Sequence, residues 1–234
     1  DGVSPERVLA ELSKILRGPR PAVAIEVLAQ GGQAARCVPG WGDDPVGARL
    51  RPDVLARLGD GPGPALGLAV LIEPSPLEHV EVHGQFQRTC EALAGLRPSR
   101  DLRHGVASLA AMRAKLGQFA SAPPPETAEQ RGEIVMLWRA TERPDGLRLA
   151  LAWADARRDL ELRAGLEDFT RLAEGLDLYA GSRSVRLTAN DLMAAGIEQG
   201  PELGIAQLRV HNAGLGGAFD DREGALAWVK QNLR

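Results

Sequence analysis

The sequence predicts an all-α protein, a multi-helical array of helix-turn-helix units that is elongated or curved. Two observations support this fold class. Aromatic residues make up only 4% of the chain and alternating apolar runs are short, which argues against strands. Residues that favour helices, chiefly Ala, Leu, Arg and Glu, dominate instead, and helix start and stop signals recur along the chain.

Two short helices are predicted at the N-terminus. Ser4 and Pro5 fit an N-cap followed by proline at the first helical position. The apolar residues that follow fall on one helical face: Val8, Leu9, Leu12, Ile15 and Leu16. Gly18-Pro19 ends this helix. Pro21 begins a second one, whose core stripe is predicted to be Val23, Val27 and Leu28, and Gly31-Gly32 ends it.

The middle of the chain alternates loops with helical patterns. Residues 38–64 are rich in Pro, Gly and Asp, which favours a loop between short helices. The apolar run 65–73 is either a buried helix or a strand, and its periodicity leaves both open. Helical patterns follow at 84–96 and 100–120, before the proline-rich linker 122–125.

The next segment is predicted to be mostly apolar helix. A helix near 126–142 ends before Pro144, and a long helix runs from about 147 to Tyr179, with a break near Gly165. Glycine is the expected breaker there because it has a low helix propensity.

The last part of the chain has the clearest helix boundaries. Thr188 and Asp191 fit a capping box that begins a short helix. Gly200-Pro201 begins the next helix. Asp220 and Glu223 fit a second capping box, which begins the last helix.

Composition limits the class of protein. The length of 234 residues suits one large or two small domains. A net charge of −3 argues against a surface that is basic throughout, but permits a local basic face. Two distant thiols, Cys37 and Cys90, provide neither a disulfide framework nor a zinc box, so we expect a cytoplasmic protein. No apolar run reaches about 18 residues, so we expect no membrane partner.

No catalytic residue is predicted in this chain. Two-metal nucleotidyl transfer needs closely spaced carboxylates, such as Asp-x-Asp after a Gly-Ser turn, and Gly181-Ser182 is not followed by that pattern. A P-loop is absent as well. His79 and His83 have the spacing of two metal ligands on one helical face. Further ligands are not evident, so surface or core histidines are the alternative, and no metal site is predicted.

One stretch could contact a nucleic acid. Between 97 and 115 the basic residues outnumber the single acid, Asp101. The basic residues are Arg97, Arg100, Arg103, Arg113 and Lys115. They suit the phosphate backbone of RNA, and a solvated helical face is the alternative interpretation. Four tryptophans could stack on bases or belong to the core: Trp41, Trp138, Trp153 and Trp228.

Both ends of the chain resemble a known family. The segment Ser4-Pro-Glu-Arg-Val-Leu-Ala-Glu-Leu-Ser-Lys-Ile-Leu16 resembles the neck helix of bacterial-type (class II) tRNA nucleotidyltransferases, the CCA-adding enzymes, and poly(A) polymerases. Leu9 stands where the family has arginine. Ala152-Trp-Ala-Asp-Ala156 is similar to a segment of the family's body domain. The tail around Asn190–Gly204 resembles the family's tail pattern, with Ala189 where glycine is frequent.

The resemblance implies three parts: neck helices in 1–40, a body in 41–165 and a tail in 166–234. It implies that Glu6, Arg7 and Glu11 support the nucleotide-selecting site of a head domain that precedes the neck. Surface charges on a helix are the alternative for these three. Mg²⁺ and CTP or ATP are expected only with that missing head, and no cofactor is expected in this chain.

Two hypotheses for function follow. In the first, the chain is the non-catalytic, tRNA-binding part of a tRNA nucleotidyltransferase or poly(A) polymerase-like enzyme, with tRNA or another RNA and the head domain as partners. In the second, it is a free-standing helical interaction module with no role in RNA modification.

Overall fold

A computed structural model of the chain describes residues 3–72, 82–140, 142–181 and 185–233, except the side chain of His83. Within these ranges the protein forms thirteen helices and no strand, which confirms the all-α prediction. The helices are α1 Pro5–Arg17, α2 Pro21–Gln30, α3 Ala34–Cys37, α4 Pro45–Leu58, α5 Pro64–Ile72, α6 Val82–Ala94, α7 Arg100–Ala120, α8 Ala128–Arg139, α9 Arg143–Arg157, α10 Leu160–Ala180, α11 Ala189–Ala194, α12 Pro201–Leu215 and α13 Arg222–Asn232.

The apolar run left open between helix and strand is the helix α5. It is buried on every side from Leu66 to Ile72, so no polar face marks a helical period in the sequence. Gly67 allows Leu16 of α1 to pack closely, since a Cβ at Gly67 would lie 2.6 Å from the Leu16 Cδ2 atom. Helix α5 is therefore a buried element onto which α1 packs.

The predicted core stripe of α2 is wrong in two of its three positions. Val23 and Val27 are exposed, and Ile25 is the fully buried apolar residue of this helix. Leu28 is half-buried against the core. Helix α2 is short and apolar on most sides, with Glu26 as its only charged residue, so periodicity could not select the buried face.

The break near Gly165 is also wrong. The chain leaves the helix at Arg158, whose φ of 56° is left-handed, and Gly165 lies inside α10. A Cβ at Gly165 would stand 2.3 Å from the carbonyl oxygen of Ala120. This glycine is therefore needed for the close approach of two backbones and does not end a helix.

One of the two predicted capping boxes is confirmed. Thr188 and Asp191 exchange hydrogen bonds: the Asp191 amide donates to Thr188 Oγ1 at 3.2 Å, and the Thr188 amide donates to Asp191 Oδ2 at 2.9 Å. The second box is not formed. Asp221, one residue later than predicted, is the N-cap of α13 and accepts from the Gly224 amide at 2.7 Å. The residue three positions after Asp221 is Gly224, which has no side chain to complete a box.

The chain divides into two compact units. Unit 1 is Asp1–Ser121 with Glu142–Glu167, and unit 2 is Ala122–Thr141 with Asp168–Arg234. The predicted neck, 1–40, lies in unit 1, and the predicted tail shares unit 2 with the segment that contains α8. By sequence, unit 1 has 19 acidic and 19 basic residues and unit 2 has 12 acidic and nine basic. The net charge of −3 is therefore that of unit 2.

Each unit has its own core. In unit 1 the core includes Leu16, Leu55, Leu71, Leu149 and Trp153, all of which are excluded from solvent. In unit 2 a cluster of α11, α12 and α13 forms around Leu192, Val210 and Val229. The close packing of α8 on α12 completes unit 2, as described below.

Candidate nucleic-acid interface

An ion pair joins the two segments that the sequence analysis selected separately. Arg97 Nη1 donates to Glu6 Oε1 at 3.0 Å, across 91 residues of chain. Both side chains are exposed, so the pair contributes little to stability. Its value is positional, because it places the beginning of α1 beside the turn that leads into α7. The Glu6 backbone amide, followed by Arg97, lowers the pKa of the Glu6 carboxyl below its usual value.

Three of the five RNA-binding candidates lie together around the start of α7. Arg97 is in the turn between α6 and α7, with a left-handed φ of 49°. Arg100 and Arg103 occupy the first turn of α7, which Ser99 caps by accepting from the Leu102 amide at 3.2 Å. Arg100 and Arg103 are three residues apart, a rise of about 4.5 Å along the helix. Both are exposed, and neither side chain has an ion-pair or hydrogen-bond partner within the described ranges.

Arg7 of α1 extends this cluster. It is exposed and next in sequence to Glu6, the partner of Arg97. We call Arg7, Arg97, Arg100 and Arg103 the α1–α7 basic surface. Asp101 is the acid between Arg100 and Arg103, so the surface is basic but not uniformly so.

The other two candidates do not belong to this surface. Arg113 is only 4% exposed, and its guanidinium carbon lies 5.2 Å from the ring centroid of Trp153. A buried guanidinium on an aromatic face is not available to a phosphate, so we remove Arg113 from the candidates. Lys115 is half-buried and follows Arg100 by 15 residues, about 22 Å along the helix axis. Its Nζ lies 5.9 Å from the Phe119 ring centroid.

The neck residues that the resemblance selected are all exposed. Glu11 accepts from Lys14 Nζ at 2.9 Å, and this hydrogen bond lowers the pKa of the Glu11 carboxyl. Arg7, Glu11 and Lys14 follow one another at helical spacing, so they form a polar stripe on the outer side of α1. Such a stripe is open to a partner, and it is equally compatible with a solvated helix face.

The tryptophans are poorly placed for stacking on bases. Trp153 is 1% exposed and Trp41 is 8% exposed, and an arginine lies over the ring of each. Trp138 and Trp228 are half-buried and pack against Phe169 and Phe219 at centroid distances of 6.5 and 6.2 Å. Two of the four rings are therefore closed to stacking, and the other two are partly covered by phenylalanines.

The described residues contain no group of three or more His, Cys, Asp or Glu side chains that could hold a metal ion. His79 lies outside the described residues, as does the side chain of His83, so their spacing stays untested. His104 is exposed, and its Nδ1 lies 3.3 Å from Ser108 Oγ.

His211 of α12 should make the stability of unit 2 depend on pH. Burial, and then the charges of Arg186 and Arg139, lower the pKa of His211 below its usual value. The unfolded chain therefore binds a proton more readily as the pH falls below about 6.5, and stability is lost over that range. His211→Gln is expected to flatten the profile of urea midpoint against pH between about 7 and 5. An unchanged profile would contradict this assignment.

Sequence reasoning missed one surface, a groove between α2 and α4. It has a volume of about 690 Å³ and is lined by small apolar residues, by Trp41 and by the charged residues Glu26, Arg49 and Asp53. Val23, which is 52% exposed, lines it on the α2 side. The only signal in the sequence was the excess of apolar residues on a helix too short to bury all of them.

The chain was compared with protein-family models, with curated proteins and with solved structures, and none of the three comparisons gave a match. Within the described residues, none of the helices combines the length and the apolar character needed to cross a bilayer. The function therefore has to be argued from the residues themselves.

Proposed function

We propose that this chain is the non-catalytic, tRNA-binding part of a tRNA nucleotidyltransferase or poly(A) polymerase-like enzyme. A separate head domain would hold Mg²⁺ and CTP or ATP and carry out the transfer to the RNA 3′ end. The α1–α7 basic surface would hold the RNA backbone. The exposed residues Glu11 and Lys14, further along α1, would meet the head.

The Glu6–Arg97 ion pair is the observation that carries this proposal. It brings the residues that resemble a head-supporting neck to the same end of unit 1 as the most basic stretch of the chain. An enzyme that extends an RNA must hold that RNA close to the domain that carries out the transfer.

Binding of tRNA at low salt is the first expected result. Three to four arginines that contact phosphates predict that log K falls with log[salt] with a slope of about −3. The measurement is fluorescence anisotropy of labelled tRNA with the full chain, from about 25 to 300 mM KCl. Absence of binding at 25 mM KCl would contradict the proposal, and so would an affinity that does not change with the KCl concentration.

The alternative is a free-standing interaction module without a role in RNA modification. The α2–α4 groove, which the exposed Val23 helps to line, is the observation that favours it. Failure to bind tRNA at low salt would support this alternative, because the residues that line the groove are not those of the basic surface.

A further inference from the structure

The two units differ in what their cations can offer to a polyanion. Unit 1 is neutral overall, and its α1–α7 basic surface includes Arg100 and Arg103, which are exposed and have no partner within the described part of the chain. Unit 2 carries the whole net charge of −3. A phosphate backbone is therefore attracted to one unit and, at long range, repelled by the other.

The arginines of unit 2 are occupied. Five of the six described ones donate to acceptors within unit 2. Four pair with carboxylates: Arg139 with Asp177, Arg171 with Asp168, Arg209 with Glu129 and Arg222 with Asp191. The fifth, Arg131, donates to the carbonyl oxygens of Gly216 and Glu126.

The Arg209 pair is the hardest of these for an RNA phosphate to displace, because Arg209 Nε and Nη2 donate to both oxygens of Glu129, at 2.9 and 3.0 Å. This bidentate pair fills the fork that a phosphate would need. Breaking it would leave the Glu129 carboxylate facing the incoming phosphate. The described cations of unit 2 that remain are Arg186 and Lys230.

We infer that the RNA affinity of this chain resides in unit 1, at the α1–α7 basic surface, and that the described cations of unit 2 make no contact with RNA phosphates. This inference rests on the proposed function. The RNA ligand is held through about three to four backbone phosphates, independently of base sequence, because two of the four tryptophans are buried and the other two are half-buried against phenylalanines.

Two double variants of the full chain test it, and each removes two positive charges. Arg100→Ala with Arg103→Ala alters unit 1, and Arg186→Ala with Lys230→Ala alters unit 2. The net charge changes equally in both variants, so a difference in RNA affinity between them shows which unit binds the RNA. The probe is a labelled RNA hairpin of about 12 base pairs, titrated by anisotropy across the same range of KCl. Circular dichroism melts establish that both variants are folded.

We expect the unit 1 variant to reduce the magnitude of the salt slope by about 2 and to weaken binding at least tenfold at 50 mM KCl. The unit 2 variant should bind within twofold of the parent chain with the same slope. An equal loss of affinity in both variants would overturn the inference but not the proposal that the chain binds RNA. A salt slope of about −6 or steeper for the parent chain would have the same meaning. No binding by the parent chain would overturn the proposed function itself.

Discussion

Gly132→Ala is expected to destabilise unit 2 by about 3 kcal/mol, because it puts a methyl group where two helices cross. A Cβ at Gly132 of α8 would lie 1.8 Å from the carbonyl oxygen of Asn212 in α12. The obstacle is backbone, so no side-chain rotation relieves it. Gly216 makes the matching approach at the other end of the contact, where a Cβ would lie 1.8 Å from the Ala128 carbonyl oxygen.

Gly204→Ala is the matched control on α12. Gly204 has no neighbouring atom within 4 Å of its ideal Cβ, so alanine there should stabilise the helix by about 0.5–1 kcal/mol. Urea denaturation gives the free energies, and hydrogen exchange read by mass spectrometry locates the loss to peptides of α8 and α12. A Gly132→Ala protein within 0.5 kcal/mol of the parent would show that α8 and α12 do not cross at this glycine.

The sequence was informative where the signal is local. Ser4 caps α1, and Thr188 with Asp191 caps α11, because a cap depends on residues within one turn of each other. The roles of Gly132 and Gly165 could not be predicted in this way. In one sequence, a glycine that allows a distant backbone to approach looks the same as a glycine that ends a helix. The two are distinguished only by the neighbouring backbone in the fold, which is Asn212 for Gly132 and Ala120 for Gly165.

The candidate interface was predicted in part for the same reason. Exposed cations at the start of α7 were visible as a local excess of arginine. The burial of Arg113 was not visible in the sequence, because it depends on Trp153, which belongs to another helix. The position of Glu6 beside Arg97 likewise depends on packing between segments 91 residues apart.

Trp153→Ala is the second large effect, with an expected loss of about 3–5 kcal/mol from unit 1. Trp153 is fully enclosed in the main core, so truncation removes apolar burial and leaves a cavity. It also removes the aromatic face beneath the Arg113 guanidinium, which then stays buried with less compensation. Urea denaturation followed by far-UV circular dichroism measures the change.

Leu160→Ala is the control for Trp153→Ala, since Leu160 is 77% exposed in the same unit and its truncation should stay within about 0.5 kcal/mol of the parent chain. The comparison also bears on the RNA interface. Arg113 was set aside only because Trp153 and the core enclose it. If Trp153→Ala cost less than 1 kcal/mol, that enclosure would be refuted, and Arg113 would return to the candidates for phosphate contact.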